Sequence, residues 1–300
     1  MTTARLGQAR RTPARRGFLL GSLWSALLGA CSGAGAPRGV PTTAPGERRQ
    51  TYEYGPAAAQ VAELRLPAGT ARGVVVLVHG GYWQAGYDLT LQNAVAADLV
   101  GAGWAVWNLD YRAVGDGGGW PTTFTDVAAG ADHLAVAARG HGLTLDRVVA
   151  VGHSAGGTLA LWLAARPGLP SGAPGAAPVV RVTAVASQAG VNDLAAGSRA
   201  GLGGGAVDSV VGGSPADFAD RYDLVDPARL LPLGVPLLVV TGADDATVPV
   251  AQSRDFAAAA REAGDDVRLE VVPGEGHFEH LDPRSTAWRA VRSWLDALPP

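Results

Sequence analysis

A serine flanked by glycines stands in the segment Gly152-His153-Ser154-Ala155-Gly156. A valine-rich run at residues 148–151 precedes this segment, and an alanine-rich stretch at residues 158–165 follows it. A strand, a tight turn and a helix in this order form a nucleophile elbow, in which a strained turn exposes the serine hydroxyl. Glycines at the flanking positions remove side chains that would clash there. We therefore predict that Ser154 attacks a carbonyl carbon, rather than lying in a simple glycine-rich turn, and that His153 is a packing residue.

A second glycine-containing turn, His79-Gly80-Gly81-Tyr82-Trp83, follows the predicted strand at residues 73–78. The tetrahedral intermediate of acyl transfer needs backbone N–H donors about 2.7–3.1 Å from its oxygen, and glycines let the backbone approach closely. The predicted oxyanion hole consists of three backbone amides, those of Gly81, Tyr82 and Ala155. We predict that His79 braces this loop, and that Trp83 either lines the substrate pocket or fills the core.

An acid and a base must accompany the serine, because a base has to take the hydroxyl proton and a carboxylate has to orient that base. His277 lies in a glycine-containing turn after the last predicted strand, from where it can reach the elbow. His280 is a rival that we expect further along and in solvent. Asp244 and Asp245 both follow the preceding predicted strand, and either could orient the base.

Apolar runs that alternate with alanine-rich stretches predict the elements that position these residues. The predicted strands lie at residues 51–54, 61–66, 73–78, 105–109, 147–151, 182–186, 236–240 and 267–271. The predicted helices lie at residues 91–100, 124–139, 158–165, 251–263 and 286–298. This alternation predicts an α/β fold with a mostly parallel central sheet and helices on both faces. Residues 188–231 break the rhythm, and we expect them to pass over the sheet as a cap.

From about residue 51 to 298 the chain resembles a serine esterase of the α/β-hydrolase superfamily. Its segment His79-Gly80-Gly81-Tyr82-Trp83 is similar to the HGGxW motif of kynurenine formamidases (arylformamidases), although most related esterases have a third glycine in place of Tyr82. The resemblance favours Asp245 as the acid, because two residues separate it from Val248-Pro249, as is usual in the family. It implies a triad of nucleophile, base and acid formed by Ser154, His277 and Asp245. It also implies a small-molecule ester or amide substrate and no metal or cofactor.

The N-terminus is typical of an export signal. The first thirty residues carry five arginines and no acid, and an uncharged apolar run occupies residues 18–30. This run is shorter than the roughly 20 residues that span a membrane, so residues 1–31 are predicted to be a signal peptide. Arg15-Arg16 resembles a twin-arginine motif, and the residues that end at Cys31 resemble a lipobox. Lipidation of Cys31 would anchor the protein at the outer face of the cytoplasmic membrane, and residues 32–50 would be a flexible linker.

Two simpler interpretations of the N-terminus remain: the apolar run could be an amphipathic or buried helix, and Cys31 an ordinary small apolar residue. The net charge is −3 and becomes −8 without the five N-terminal arginines, which disfavours nucleic acid as a partner. The single cysteine excludes an internal disulfide and a cysteine metal cage.

The predicted function is that of an exported serine hydrolase that cleaves a carboxylic ester. Two alternatives stay open: an amide hydrolase, such as an arylformamidase or an exopeptidase, and a surface-anchored binding module without catalytic activity. The export signal disfavours the formamidase alternative, because the resemblance implies a cytoplasmic role in tryptophan catabolism for that enzyme.

Overall fold

The computed structural model describes residues 1–2 and 39–299. The predicted lipidation site at Cys31, nearly all of the predicted signal peptide and the first part of the predicted linker lie outside the described residues. Within the described ranges, no helix is both long enough and apolar enough to cross a membrane.

An eight-stranded sheet forms the centre of the domain, and its spatial order is β1-β2-β4-β3-β5-β6-β7-β8. Its strands are β1 (Arg48–Glu53), β2 (Val61–Leu66), β3 (Val74–Val78), β4 (Ala105–Leu109), β5 (Val148–His153), β6 (Ala184–Gln188), β7 (Leu237–Gly242) and β8 (Val267–Val272). Strand β2 is antiparallel to both of its neighbours, whereas all the other neighbouring pairs are parallel. The predicted mostly parallel sheet is confirmed.

The helices follow the strands along the chain. They are α1 (Asn93–Gly101), α2 (Thr122–His141), α3 (Ala155–Ala165), α4 (Leu194–Arg199), α5 (Leu202–Val211), α6 (Ala219–Val225), α7 (Val250–Ala263) and α8 (Thr286–Ala297). The five helices expected from the sequence are present with shifted ends, and α4, α5 and α6 are additional.

The core lies on both faces of the sheet. All five residues of β3 are buried, and their side chains alternate between the faces because successive residues of a strand point in opposite directions. Val76 belongs to the same apolar cluster as Leu159 of α3, whereas Leu77 belongs to a second cluster with Val95 of α1 and Trp288 of α8. Burial on both faces fixes the central strands, and their carboxyl ends therefore provide a rigid base for a site.

The start of the domain differs from the sequence prediction. Strand β1 begins at Arg48, three residues before the expected strand, so residues 48–50 are not part of a flexible linker. Ala44 is buried just before it, and the fully buried side chain of Glu47 lies 3.7 Å from the guanidinium of Arg65 on β2. The polar residues of β1 lie on the edge of the sheet and pair with one neighbour. Such a strand has no hydrophobic run that would mark where it starts.

The excursion predicted at residues 188–231 contains α4, α5 and α6 between β6 and β7. A buried carboxylate, that of Asp226, anchors it by accepting the backbone amides of Leu194 and Ala195 at 2.8 and 3.0 Å. Burial raises the pKa of Asp226 to about 6, although these two amides act in the opposite direction. The segment is thus an ordered part of the fold, held by its own polar contacts.

Candidate active site

Ser154 connects the last residue of β5 to the first residue of α3, as predicted for a nucleophile elbow. Its backbone has φ 55° and ψ −124°, a combination that is strained for a residue with a side chain. The amide of Ser154 donates to the carbonyl of Gln188 on β6 at 2.8 Å, which holds the strained residue to the adjacent strand. The strand, turn and helix expected around the serine are therefore all present.

The glycines around Ser154 allow three elements to meet. A Cβ atom on Gly152 would collide with the carbonyl oxygen of Gly156, and a Cβ atom on Gly156 would collide with that of Val78 on β3. The first turn of α3 consequently packs against the ends of β5 and β3. The amide of Ala155 is at the first residue of this helix, where no intrahelical acceptor exists and the helix dipole favours negative charge.

The loop predicted to form the oxyanion hole follows β3 and lies against the elbow. A Cβ atom on Gly80 would be 3.0 Å from the Cβ of Ser154 and 2.7 Å from the carbonyl oxygen of His153, so only glycine leaves room for this approach. The next residues, Gly81 and Tyr82, have positive φ angles of 114° and 51°. The loop therefore adopts an unusual conformation at the point where it contacts the serine.

His79 braces this loop, as predicted. Its Nε2 atom is 3.0 Å from a carboxylate oxygen of Asp110, and its ring stacks on that of Tyr111 with the centroids 4.4 Å apart. The hydroxyl of Tyr111 also donates to the backbone carbonyl of His79 at 2.9 Å. These contacts fix the first residue of the loop to the end of the neighbouring strand β4.

Tyr82 and Trp83 have different surroundings. The hydroxyl of Tyr82 donates to the carbonyl of Thr247 at 3.0 Å, and its ring packs where a Cβ atom on Gly203 of α5 would lie. Trp83 is only 1% exposed and belongs to the main apolar cluster of the domain. Of the two roles considered for Trp83, its burial favours packing in the core over lining the substrate pocket.

Asp245 and His277 form a hydrogen-bonded pair. Oδ2 of Asp245 lies 2.8 Å from Nδ1 of His277, while Oδ1 accepts the amides of Thr247 and Val248, each at 2.8 Å. Burial acts to raise the pKa of Asp245, but the hydrogen bonds and the charge of His277 outweigh it and lower the pKa. The other aspartate considered, Asp244, is exposed. The residue types alone allowed either aspartate to orient the histidine, whereas the structure shows that Asp245 is the one bonded to His277.

A contact that the sequence did not predict joins the His277 loop to the elbow. Nε2 of His153 is 2.7 Å from the backbone carbonyl oxygen of His277, and the centroids of the two rings are 4.7 Å apart. Since His153 immediately precedes Ser154, this contact joins the His277 loop to the residue next to the serine. Residues separated by more than a hundred positions meet here only because β5 and β8 end at the same edge of the sheet.

The expectation that His280 lies in solvent is wrong. His280 is fully buried, and it lies in a short 3-10 turn at Glu279–Leu281. Its ring centroid is 5.8 Å from that of His153, and neither ring nitrogen has a hydrogen-bond partner among the described residues. Burial, and then the nearby charge of His277, lower the pKa of His280 to about 3. His280 is therefore a neutral buried residue beside the ring of His153.

This burial predicts a contribution of His280 to acid unfolding. Its pKa in the folded protein is about 3, whereas an unfolded histidine has a pKa of about 6.5, so the unfolded state binds more protons between these values. Stability is fully present above about pH 6.5 and falls as the pH decreases towards 3. We expect His280→Leu to unfold at a lower pH than the wild type in a circular dichroism titration. His141→Leu, which removes a half-buried histidine at the end of α2, is the control, and an unchanged midpoint for His280→Leu would contradict the prediction.

Comparisons with known proteins agree with this fold. Residues 63–259 match the family described as BD-FAE, and the chain belongs to this family of esterases with the α/β-hydrolase fold. The protein is accordingly a carboxylic ester hydrolase. A monoacylglycerol lipase of Mycolicibacterium smegmatis is 32% identical, and the match covers 78% of this chain and 92% of that relative.

Solved structures share the fold at lower identity. A truncated carbohydrate esterase from gut microbiota superposes with a TM-score of 0.72 at 21% identity and covers 82% of this chain and 95% of its own. Esterase B from Lactobacillus rhamnosis has a TM-score of 0.71 at 21% identity, with 85% of this chain and 84% of its own covered. Esterase 2 of Thermogutta terrifontis has a TM-score of 0.66 at 23% identity, with 84% and 91% covered.

Proposed function

We propose that the protein is an exported serine esterase in which Ser154 is the nucleophile, His277 the general base and Asp245 the residue that orients the base. The observation that carries this proposal is the 2.8 Å contact between Asp245 and His277, beside a serine held at φ 55°. Because Nδ1 of His277 faces Asp245, Nε2 is the nitrogen left to take a proton from Ser154.

The proposed reaction proceeds in two halves. His277 removes the proton of the Ser154 hydroxyl while the oxygen attacks the ester carbonyl, which gives a tetrahedral oxyanion. The amides of Gly81, Tyr82 and Ala155 are the proposed donors to this oxyanion. Collapse of the intermediate breaks the bond to the alcohol oxygen, which takes the proton from His277 and leaves. Water, deprotonated by His277, then attacks the acyl-enzyme. The bond between the acyl carbon and the Ser154 oxygen breaks, this oxygen takes the proton back from His277, and the carboxylic acid leaves.

The proposed substrates are small carboxylic esters, and monoacylglycerols are the first class to test because of the mycobacterial relative. The test is a panel of p-nitrophenyl esters, monoacylglycerols, N-formyl aromatic amines and aminoacyl anilides, with Ser154→Ala protein as the blank. We expect kcat/KM to be higher for the esters than for the two amide classes. Preferred cleavage of the formyl amines or the anilides would instead support the amide-hydrolase alternative, and failure to cleave any of them would support a binding module.

The proposal includes export and an anchor through Cys31. What supports it is the order of an arginine-rich start, a short apolar run and a single cysteine at the place where cleavage is expected. We expect wild-type protein expressed in a bacterium to sediment with membranes and to be released by detergent. Cys31→Ser protein is expected to lose the membrane fraction, since acyl chains contribute about 0.8 kcal/mol per buried methylene to membrane binding. Unchanged sedimentation of the Cys31→Ser protein would contradict the anchor.

A further inference from the structure

His153, the residue between Gly152 and Ser154, makes contacts that a packing residue does not need. It is 3% exposed, and Nε2 lies 2.7 Å from the carbonyl oxygen of His277. A carbonyl oxygen only accepts hydrogen bonds, so the proton of the neutral imidazole must be on Nε2. The contact is therefore a directed hydrogen bond from the nucleophile elbow to the backbone of the proposed base.

The protonation state of His153 supports this direction. Burial, and then the nearby charges of His277 and His280, lower the pKa of His153 well below its usual value, so the ring is neutral at ordinary pH. Its other nitrogen, Nδ1, lies 3.3 Å from where a Cβ atom on Gly80 would be. The ring of His153 thus occupies the space between the oxyanion loop and the His277 loop.

The remaining contacts of the His277 loop hold it to other parts of the domain. The carbonyl of Glu275 accepts the amide of Asp244 at 3.0 Å, and the carboxylate of Glu275 accepts the amides of Thr286 and Ala287 at the start of α8. None of these bonds connects the loop to the serine. The bond from His153 joins the loop directly to the elbow, at the residue that precedes Ser154.

We propose that His153 is a positioning residue, whose bond to the His277 carbonyl fixes the distance between the proposed base and Ser154. This inference rests on the proposed function. A displacement of about 1 Å at a reacting group can lower a rate on the order of a hundredfold. Losing the bond should therefore lower kcat more than it changes KM, because the base acts in the chemical step.

The test compares two replacements. His153→Phe keeps a ring but removes the donor, whereas His153→Gln keeps an amide donor at a similar reach. We expect kcat for p-nitrophenyl acetate to fall about ten- to a hundredfold in His153→Phe, with KM within a factor of about three. His153→Gln should recover most of the lost kcat. His133→Phe makes the same replacement in helix α2, at a histidine whose ring lies near those of Tyr52 and Trp107, and it is the matched control, for which we expect kcat near that of the wild type.

A second readout does not depend on catalysis. The Nδ1 proton of His277, bonded to Asp245, should give a downfield proton resonance that weakens or broadens in His153→Phe and returns in His153→Gln. If His153→Phe does not fold, as judged by thermal unfolding, His153→Leu replaces it. The proposal would be overturned if kcat of the donor-free variant stayed within a factor of about three of the wild type. It would also be overturned if His153→Gln lost as much kcat as the donor-free variant. Inactivity of the wild type would instead refute the proposed function, and the resonance would still test the positioning.

Discussion

Replacing Ser154 with alanine is expected to lower kcat for a p-nitrophenyl ester on the order of a million-fold, the effect of removing the nucleophile from a catalytic triad. The reason is that no other group at this position can form the acyl-enzyme. The residual rate should equal that supported by binding and the oxyanion loop alone. Steady-state kinetics with protein free of contaminating esterase measures the effect, and the thermal midpoint should change little.

Ser253 on α7 offers a matched control for this variant. It is a buried serine whose hydroxyl has no hydrogen-bond partner among the described residues, so Ser253→Ala should leave both activity and stability close to those of the wild type. Comparable activity in the Ser154→Ala and Ser253→Ala proteins would show that Ser154 is not the nucleophile.

Replacing Asp245 with asparagine is expected to lower kcat on the order of ten-thousand-fold. Oδ1 accepts the amides of Thr247 and Val248, so the oxygen of the new side chain should remain there and its NH₂ group should face His277. An NH₂ group facing Nδ1 forces the proton of His277 onto Nε2, and this tautomer cannot take a proton from Ser154. The charge that stabilises the protonated base is lost in addition.

Asp244→Asn is the control for this variant, because Asp244 is the adjacent residue, is exposed and contributes its backbone amide to the contact with Glu275. We expect it to retain activity close to that of the wild type. If Asp244→Asn lost more activity than Asp245→Asn, the assignment of the acid would be wrong. The pH dependence of kcat/KM should be recorded for both proteins. Raising the pH does not move the proton of His277 from Nε2 to Nδ1, so the activity of the Asp245→Asn protein should not recover at high pH.

The central strands could be predicted from the sequence because they are buried on both faces. Strand β3 differs by one residue from its predicted range, and β5 extends two residues further, through Gly152 and His153 into the elbow. Helix α3 begins at Ala155 rather than at residue 158. Gly156 and Gly157 are poor helix formers, but they are required where the helix contacts neighbouring backbone, so tertiary packing outweighs local propensity here.

The helices α4, α5 and α6 could not be predicted, because their residues lack a helical repeat. Helix α5 contains Gly203, Gly204 and Gly205 in left-handed conformations, and α4 depends on the carboxylate of Asp226, which lies some thirty residues further along the chain. Strand β1 begins earlier than the sequence predicts for a related reason. Its side chains are polar and largely exposed, and its position depends on pairing with β2.

The residues proposed for catalysis were identifiable because each follows a strand that the sequence marks clearly. The surroundings of His153 and His280 could not be identified from the sequence, since both depend on how the loop after β8 packs against the elbow. A histidine in a short turn gives no local sign of whether it will be buried. Only the three-dimensional arrangement reveals that His153 is hydrogen-bonded to the backbone of His277 and that His280 is buried beside His153.

Covalent labelling tests the central claim most directly. The protein should be treated with a fluorophosphonate, digested and mapped by tandem mass spectrometry, with the Ser154→Ala protein treated in parallel. We expect a single phosphonyl adduct on Ser154, formed as ester hydrolysis is lost, and no adduct in the Ser154→Ala protein. An adduct on a different residue, or full loss of activity without any adduct on Ser154, would contradict its assignment as the nucleophile.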